Sequence, residues 1–167
     1  TRNITFPVSG LQTNARPIEV RISVSHATVQ DLDITIISPT GYSRELGTDV
    51  RSGNGTWTNI GFRDNAGSSI TSISLSESNS NWIRENWLTD FCENPNGTWT
   101  IRVEDDAAGD QGTLTSLTII FQNPAGDEVT YQTGAGWNGY VYRGGNFDCY
   151  RGSLLQSSTG GYNNQNF

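Results

Sequence analysis

The sequence predicts an all-β protein, a β-sandwich of jelly-roll type. Apolar residues recur at every second position in several short segments, and Gly, Asn, Pro and Ser separate those segments. No segment shows a sustained helical period. Many short alternating strands joined by turn residues are typical of sandwiches and jelly rolls, because each strand buries one face against a second sheet. At 167 residues the chain is long enough to form one such core.

The segment 16–26 has the clearest alternation in the chain and predicts a sheet strand with one buried face. The inward face holds Ile18, Val20, Ile22, Val24 and His26. A short strand is expected before it at 3–6. Further strands are expected at 32–36, 42–46 and 57–62, the last after a loop of Gly, Asn and Ser.

The stretch 93–114 is a turn, a strand and an acidic loop that leads into another strand. Asn-Pro-Asn-Gly at 94–97 supplies a fixed φ and residues that accept positive φ, so the chain can reverse there. Trp99, Ile101 and Val103 then share one face. The segment Asn-Gly-Thr-Trp-Thr occurs twice, at 54–58 and 96–100, which indicates two similar turn-strand units or a chance echo.

Composition limits the classes of function. The formal net charge is −7 and the chain has no Lys, which argues against a nucleic-acid partner. No apolar run approaches the roughly 20 residues that a transmembrane helix needs, and no signal-peptide-like segment is present. The chain begins at Thr1 rather than Met, so we expect a mature product or an excised domain. Richness in Asn, Ser, Thr and Gly indicates a secreted, extracellular protein.

The two cysteines, Cys92 and Cys149, match no zinc spacing. In an extracellular protein we expect them to form a disulfide. Such a bond would tie the C-terminal region to the main domain and contribute on the order of 4 kcal/mol by the loop-entropy argument. The alternative is a pair of buried free thiols.

The acidic residues of two loop regions are candidate calcium ligands, because calcium prefers carboxylate and carbonyl oxygens. They are Asp31, Asp33, Asp105, Asp106 and Asp110. Their spacing is not that of an EF-hand, and solvated loops with Asp in turns are the alternative. The single histidine, His26, lies on a core-facing alternation, so we expect a hydrogen-bonded structural histidine and predict no catalytic residue.

The composition changes after residue 122, and we divide the chain into a sandwich at 1–122 and an extension at 123–167. The extension is rich in Gly, Asn and aromatic residues and poor in aliphatic ones. It packs either on the sandwich or on a neighbouring subunit. The residues predicted to serve assembly lie near both chain ends: Asn3, Ile4, Thr5, Phe6, Tyr140, Tyr142, Tyr162 and Phe167.

Several ordered motifs across residues 17–122 resemble one family. They include Ser-His before Asp-Leu-Asp-Ile, the turn Ser-Pro-Thr-Gly, the segment Phe-Arg-Asp-Asn-Ala, the stretch 88–100, and Gly-Asp-Gln-Gly-Thr-Leu at 109–114. In these motifs the chain resembles the P-domain found beside the catalytic domain in kexin- and furin-like proprotein convertases and in secreted bacterial subtilisin-like proteases. Leu117 stands where the family usually has Trp. The resemblance implies a jelly-roll sandwich and a non-catalytic module.

Two functions from different classes follow. In the first, the module associates with copies of itself through terminal strands and builds a filament or surface layer. The aromatic, Asn-rich extension and the absence of an accompanying protease in the sequence favour this function. In the second, it is the accessory domain of a secreted subtilisin-like protease and stabilises the catalytic domain. A third interpretation, carbohydrate binding, depends on exposed tryptophans among Trp57, Trp82, Trp87 and Trp137.

Overall fold

The computed structural model describes residues 1–50, 53–107, 112–123, 127–132, 141–143, 149–151 and 154–156. These residues form strands, turns and three short 3-10 helices. The strands of the first half are β1 Arg2–Val8, β2 Arg16–His26, β3 Leu32–Ile37, β4 Ser43–Gly47, β5 Gly55–Arg63, β6 Ser76–Ser78 and β7 Asn81–Ile83. Those of the second half are β8 Gly97–Asp105, β9 Gly112–Gln122, β10 Asp127–Gln132, β11 Val141–Arg143, β12 Cys149–Arg151 and β13 Leu154–Gln156. The 3-10 helices are η1 Val29–Asp31, η2 Ile70–Ser72 and η3 Leu88–Asp90.

Two packed sheets confirm the predicted β-sandwich. The smaller sheet of the sandwich has the order β1-β8-β3-β4, and the larger one has the order β11-β10-β9-β2-β5-β6, with β7 also pairing with β5. Strands β12 and β13 pair with each other in a separate two-stranded sheet. Successive strands change sheet repeatedly, so the pairs β1–β8 and β2–β9 join distant parts of the chain. This exchange between sheets is the jelly-roll character that the sequence predicts.

The strand β2 agrees with its predicted bounds and lies in the middle of the larger sheet. Val20, Ile22 and Val24 are buried, as the alternation predicts, but Ile18 is only half-buried. The reason is a shift of register against β9 between Pro17 and residue 19. A bulge of this kind adds one residue to the strand and interrupts the inside-outside alternation.

The repeated Asn-Gly-Thr-Trp segments begin β5 and β8, one in each sheet. Both tryptophans are buried, and each indole N–H donates to a backbone carbonyl: Trp57 to Ser74 at 3.1 Å and Trp99 to Pro95 at 2.7 Å. The segment therefore serves the same structural purpose twice. It starts a strand and anchors it in the core.

The turn before β8 also fixes the chain that follows β1. The side chain of Asn96 accepts a hydrogen bond from the Leu11 N–H at 3.0 Å and donates one to the Leu11 carbonyl at 2.9 Å. Gly97 has φ of 140°, and a Cβ at this position would lie 2.7 Å from Pro39 Cβ. Glycine is needed here because the backbone conformation and the neighbouring proline both exclude a side chain.

Candidate functional site

His26 lies at the end of β2 and links the two sheets. Its side chain is 2% exposed. Nδ1 lies 2.7 Å from the carbonyl oxygen of Thr28, and Nε2 lies 3.2 Å from Oδ2 of Asp105, the last residue of β8. The ring is buried and hydrogen-bonded, as the sequence predicts. Both of its nitrogens have partners within the protein, which is the arrangement of a structural histidine rather than of a general base that faces a substrate.

Four of the five predicted calcium ligands lie near this end of the sandwich. Asp31 ends η1, Asp33 lies in β3, and Asp105 and Asp106 follow one another at the end of β8. The main-chain N–H of Asp106 donates to the Asp31 carbonyl at 3.0 Å, which ties the two loop regions together. The register also places Asp33 opposite Glu104.

The carboxylates Asp31, Asp33, Asp105 and Asp106 form an acidic end of the sandwich. The surroundings disfavour the ionised form of the Asp33 carboxyl. Burial raises the pKa of the Asp33 carboxyl above its ordinary value of 3.8, and the negative charges of Asp106, Asp49 and Glu104 raise it further. The neighbouring carboxylates raise the pKa because a second negative charge close to them is repelled. A cation bound here would relieve the same repulsion.

The geometry of a metal site is nevertheless not present in the described part of the chain. Within it, no three His, Cys, Asp or Glu side chains are close enough to hold a metal ion. Asp110 lies outside the described residues. Asp105 has one carboxylate oxygen, Oδ1, that is buried without a hydrogen-bond partner. Calcium binding therefore stays a prediction.

A groove of about 720 Å³ opens beside His26. Its walls come from the first residues of β1, the end of β2, the start of β3, the end of β8 and the first half of β9. The apolar lining consists of Ile4, Val24, Leu32, Val103 and Leu114. The sequence reveals no such groove, because its parts are distant in the chain and meet only through the order of the strands.

Gly112 is a second feature that sequence reasoning does not identify. It begins β9 directly against His26, and an added Cβ would overlap the imidazole Cδ2 and lie 2.7 Å from the Ser25 carbonyl oxygen. In the sequence it is one of two glycines around the acidic loop and is indistinguishable from a turn residue. Its role depends on the approach of a distant strand.

The predicted assembly residues are described in part. Asn3, Ile4, Thr5 and Phe6 lie in β1, which pairs with β8 of the same chain; Phe6 is buried and Ile4 half-buried. Tyr142 lies in β11, opposite Glu128 of β10. Tyr140, Tyr162 and Phe167 lie outside the described residues. The assembly role of these residues stays a prediction.

The tryptophans differ sharply in exposure. Trp57 is buried and Trp82 is half-buried, whereas Trp87 is 56% exposed. The guanidinium of Arg84 lies 4.2 Å from the centre of the Trp87 ring and covers part of it. Trp137 lies outside the described residues. The described tryptophans thus offer a single exposed ring, which gives little support to carbohydrate binding.

The described residues define a class of protein: a two-sheet β-sandwich module whose distinctive motifs build turns and core. The turn at 94–97, the buried Trp99 and the clamp between His26 and Asp105 all hold the two sheets together. None of the helices in the described ranges has the length and apolar character to cross a bilayer.

The chain belongs to the proprotein convertase P-domain family, which it matches over residues 15–121. The resemblance drawn from the sequence motifs is thereby confirmed. No curated protein matches the chain. The family match begins just before β2 and ends in β9. Strand β1 and strands β10 to β13 therefore lie beyond the region that matches the family.

Proposed function

We propose that this P-domain is a non-catalytic, extracellular accessory module that packs against a subtilisin-like catalytic domain and stabilises it. The family match over residues 15–121 is the observation that carries the proposal. Several residues within the matched region have structural roles. Trp99 and Leu117 are fully buried, and His26 is engaged through both ring nitrogens.

Association with copies of itself is the second candidate. It draws support from β1, a terminal strand at the edge of the smaller sheet with only one neighbour in the described part of the chain. Lending this strand to another copy would break its pairing with β8 over seven residues and withdraw Phe6 and Val8 from the core. That cost favours the accessory role.

Association can be tested by size-exclusion chromatography with light scattering. The full chain is measured alone and mixed with a subtilisin-like catalytic domain encoded in the same genome. The accessory role predicts a monomer alone and a one-to-one complex in the mixture. Concentration-dependent oligomers of the chain alone, without a complex in the mixture, would favour self-association instead.

A disulfide between Cys92 and Cys149 is part of the proposal. Strand β12, which begins at Cys149, lies beside η3, and η3 ends two residues before Cys92. The bond would join the extension to the sandwich. Thiol labelling in denaturant without reductant tests it: no labelled thiol is expected, and labelling of both cysteines would exclude the bond.

Calcium binding is proposed as an aid to the stability of the acidic end, through the carboxylates that include Asp33 and Asp106. The thermal midpoint of the chain should rise with added calcium and fall with a chelator. An Asp106→Asn variant should reduce this shift, whereas Glu77→Gln on β6 should not. A midpoint that is the same in calcium and in chelator would exclude the site.

A further inference from the structure

The repeated segment Asn-Gly-Thr-Trp-Thr places two Asn-Gly pairs in the fold with identical residues after them. In such a pair the asparagine side chain is open to attack by the next backbone nitrogen, because glycine has no Cβ to shield it. Both glycines are the first residue of a strand, Gly55 of β5 and Gly97 of β8. Local sequence and position in the strand are therefore matched, and the two asparagines differ chiefly in their surroundings.

The side chain of Asn96 is fixed. Its Oδ1 accepts a hydrogen bond from the Leu11 N–H at 3.0 Å. Its Nδ2 donates to the Leu11 carbonyl at 2.9 Å and to Oδ1 of Asn94 at 2.8 Å. The amide group would have to break these bonds before its carbon could reach the Gly97 nitrogen. The fold therefore protects this asparagine from attack.

The side chain of Asn54 is free. It is exposed and makes no hydrogen bond with any residue that the structure describes. The main chain is held on either side of it, because the Gly53 carbonyl accepts from the Val29 N–H and the Thr56 N–H donates to the Leu75 carbonyl, each at 2.9 Å. Only the first residue of β5 has to open for the side chain to reach the backbone nitrogen, and strand ends open more easily than strand centres.

We propose that Asn54 is a site of spontaneous deamidation in the folded chain and that Asn96 is not. The backbone nitrogen of Gly55 attacks Cγ of Asn54 and forms an N–Cγ bond, while the Cγ–Nδ2 bond breaks and ammonia leaves with the proton of that nitrogen. Water then opens the cyclic succinimide at either carbonyl, which gives aspartate or isoaspartate. Water is the only co-reactant, and the proposal is independent of the accessory role.

The modification would disturb a closely packed junction. A Cβ on Gly55 would overlap the Leu75 carbonyl oxygen and lie 2.8 Å from Cγ1 of Val29. Gly55 also pairs with His26 at the end of β2. Isoaspartate adds a carbon to the main chain at this junction, and both products add a negative charge. The conversion should therefore weaken this end of the sandwich.

Mass-spectrometric peptide mapping of the full chain, incubated at mildly alkaline pH, tests the proposal. Conversion at Asn54 should be at least about tenfold faster than at Asn96, because several hydrogen bonds hold the second amide. In urea the two sites should react at similar rates, since the residues after them are identical. Equal rates in the folded chain would overturn the proposal. Conversion of Asn54 in urea but not in the folded chain would also overturn it.

A variant tests the protection of Asn96 directly. Asn94 is exposed, and Asn94→Ala removes one of the hydrogen bonds to the Asn96 amide. Conversion at Asn96 should become about fivefold faster, and the rate at Asn54 should stay the same. Asn14→Ala, at another exposed position, should change neither rate. An unchanged rate at Asn96 in a folded Asn94→Ala chain would show that these bonds do not protect it.

The effect on the sandwich is measured by thermal unfolding of the incubated chain. Its converted fraction, separated by anion exchange, should have a lower thermal midpoint than the unconverted chain. Asn54→Asp is the matched control, because it carries the added charge without the extra main-chain carbon, and it should lower the midpoint less. A converted fraction as stable as the unconverted chain would contradict the inferred disturbance at Gly55.

Discussion

At the scale of single residues, Trp99 is a fully buried residue of the sandwich core. Its ring packs edge-on against Phe91 and Phe121, with centroids 5.1 Å away in each case, and its N–H donates to Pro95. Replacing Trp99 with Phe leaves a cavity and an unpaired carbonyl group. We expect a loss of about 2 kcal/mol in the free energy of unfolding, measured with urea.

Trp87→Phe is the matched control for this substitution. The ring of Trp87 is 56% exposed, so the same change in chemistry should cost less than about 0.5 kcal/mol. Equal losses for the two variants would show that burial of Trp99 does not account for its contribution.

Asp33 provides a prediction about pH. Burial, followed by the charges of Asp106 and other carboxylates, raises its pKa in the folded state. Between the ordinary value of 3.8 and the raised value, the folded state binds more protons than the unfolded state, so the stability due to this group falls as the pH rises. In the absence of calcium, Asp33→Asn should therefore raise the free energy of unfolding near pH 7, by less than about 1 kcal/mol because the group is partly solvated.

The gain from Asp33→Asn should shrink as the pH falls towards the ordinary value, since the wild-type carboxyl is then neutral too. Glu77→Gln on β6 is the control, because Glu77 is not among the carboxylates that act on Asp33. A gain that is independent of pH would contradict the electrostatic explanation.

The residue scale also shows what the sequence can and cannot predict. The burial of Trp99 and His26 follows from alternation within one strand, which is local information. The contact between His26 and Asp105 joins residues from different sheets, and the burial of the Asp105 Oδ1 atom depends on the folded surroundings of that residue. No local pattern encodes either feature.

At the scale of strands, the start of β9 is the most constrained part of the site. Gly112→Ala would force a Cβ against the His26 ring and the Ser25 carbonyl. Both neighbours are held in place, His26 by its hydrogen bonds and Ser25 by the β2 backbone. We expect a loss of about 1–3 kcal/mol in unfolding free energy, because overpacking displaces fixed groups.

Gly67→Ala is the control for this substitution. Gly67 has no atom within 4 Å of an added Cβ and lies outside the strands, so the change should be nearly neutral. If Gly112→Ala is as well tolerated as Gly67→Ala in thermal unfolding, the close approach of β9 to His26 is not a constraint.

Strands with strong alternation were predictable, and others were not. The bounds of β2 agree with the sequence pattern, and those of β1, β3, β4 and β5 lie within one or two residues of it. In contrast, β6 and β7 pair in parallel with β5 and contain only three residues each. Three residues are too few to show a period, so their pairing depends on the sheet that they join.

At the scale of the whole molecule, the sandwich consists of the region that matches the P-domain family and of strands outside that region. The match to the family covers residues 15–121, while β1 completes the smaller sheet and β10 extends the larger one. The sequence motifs predicted the core because several different motifs follow one another in the order of the family over about a hundred residues. The sheet order and the groove arise only when β1, β8 and β9 are brought together in space.

The most direct test of the central claim, an accessory role for the module, is the thermal inactivation of a subtilisin-like catalytic domain joined to residues 1–167. The measurement compares the activity half-life of the catalytic domain alone, joined to the native chain, and joined to the Trp99→Ala chain. We predict a longer half-life with the native chain and loss of most of that gain with Trp99→Ala. The variant leaves a large cavity in the core and so destabilises the sandwich. The same half-life in all three proteins would contradict the account.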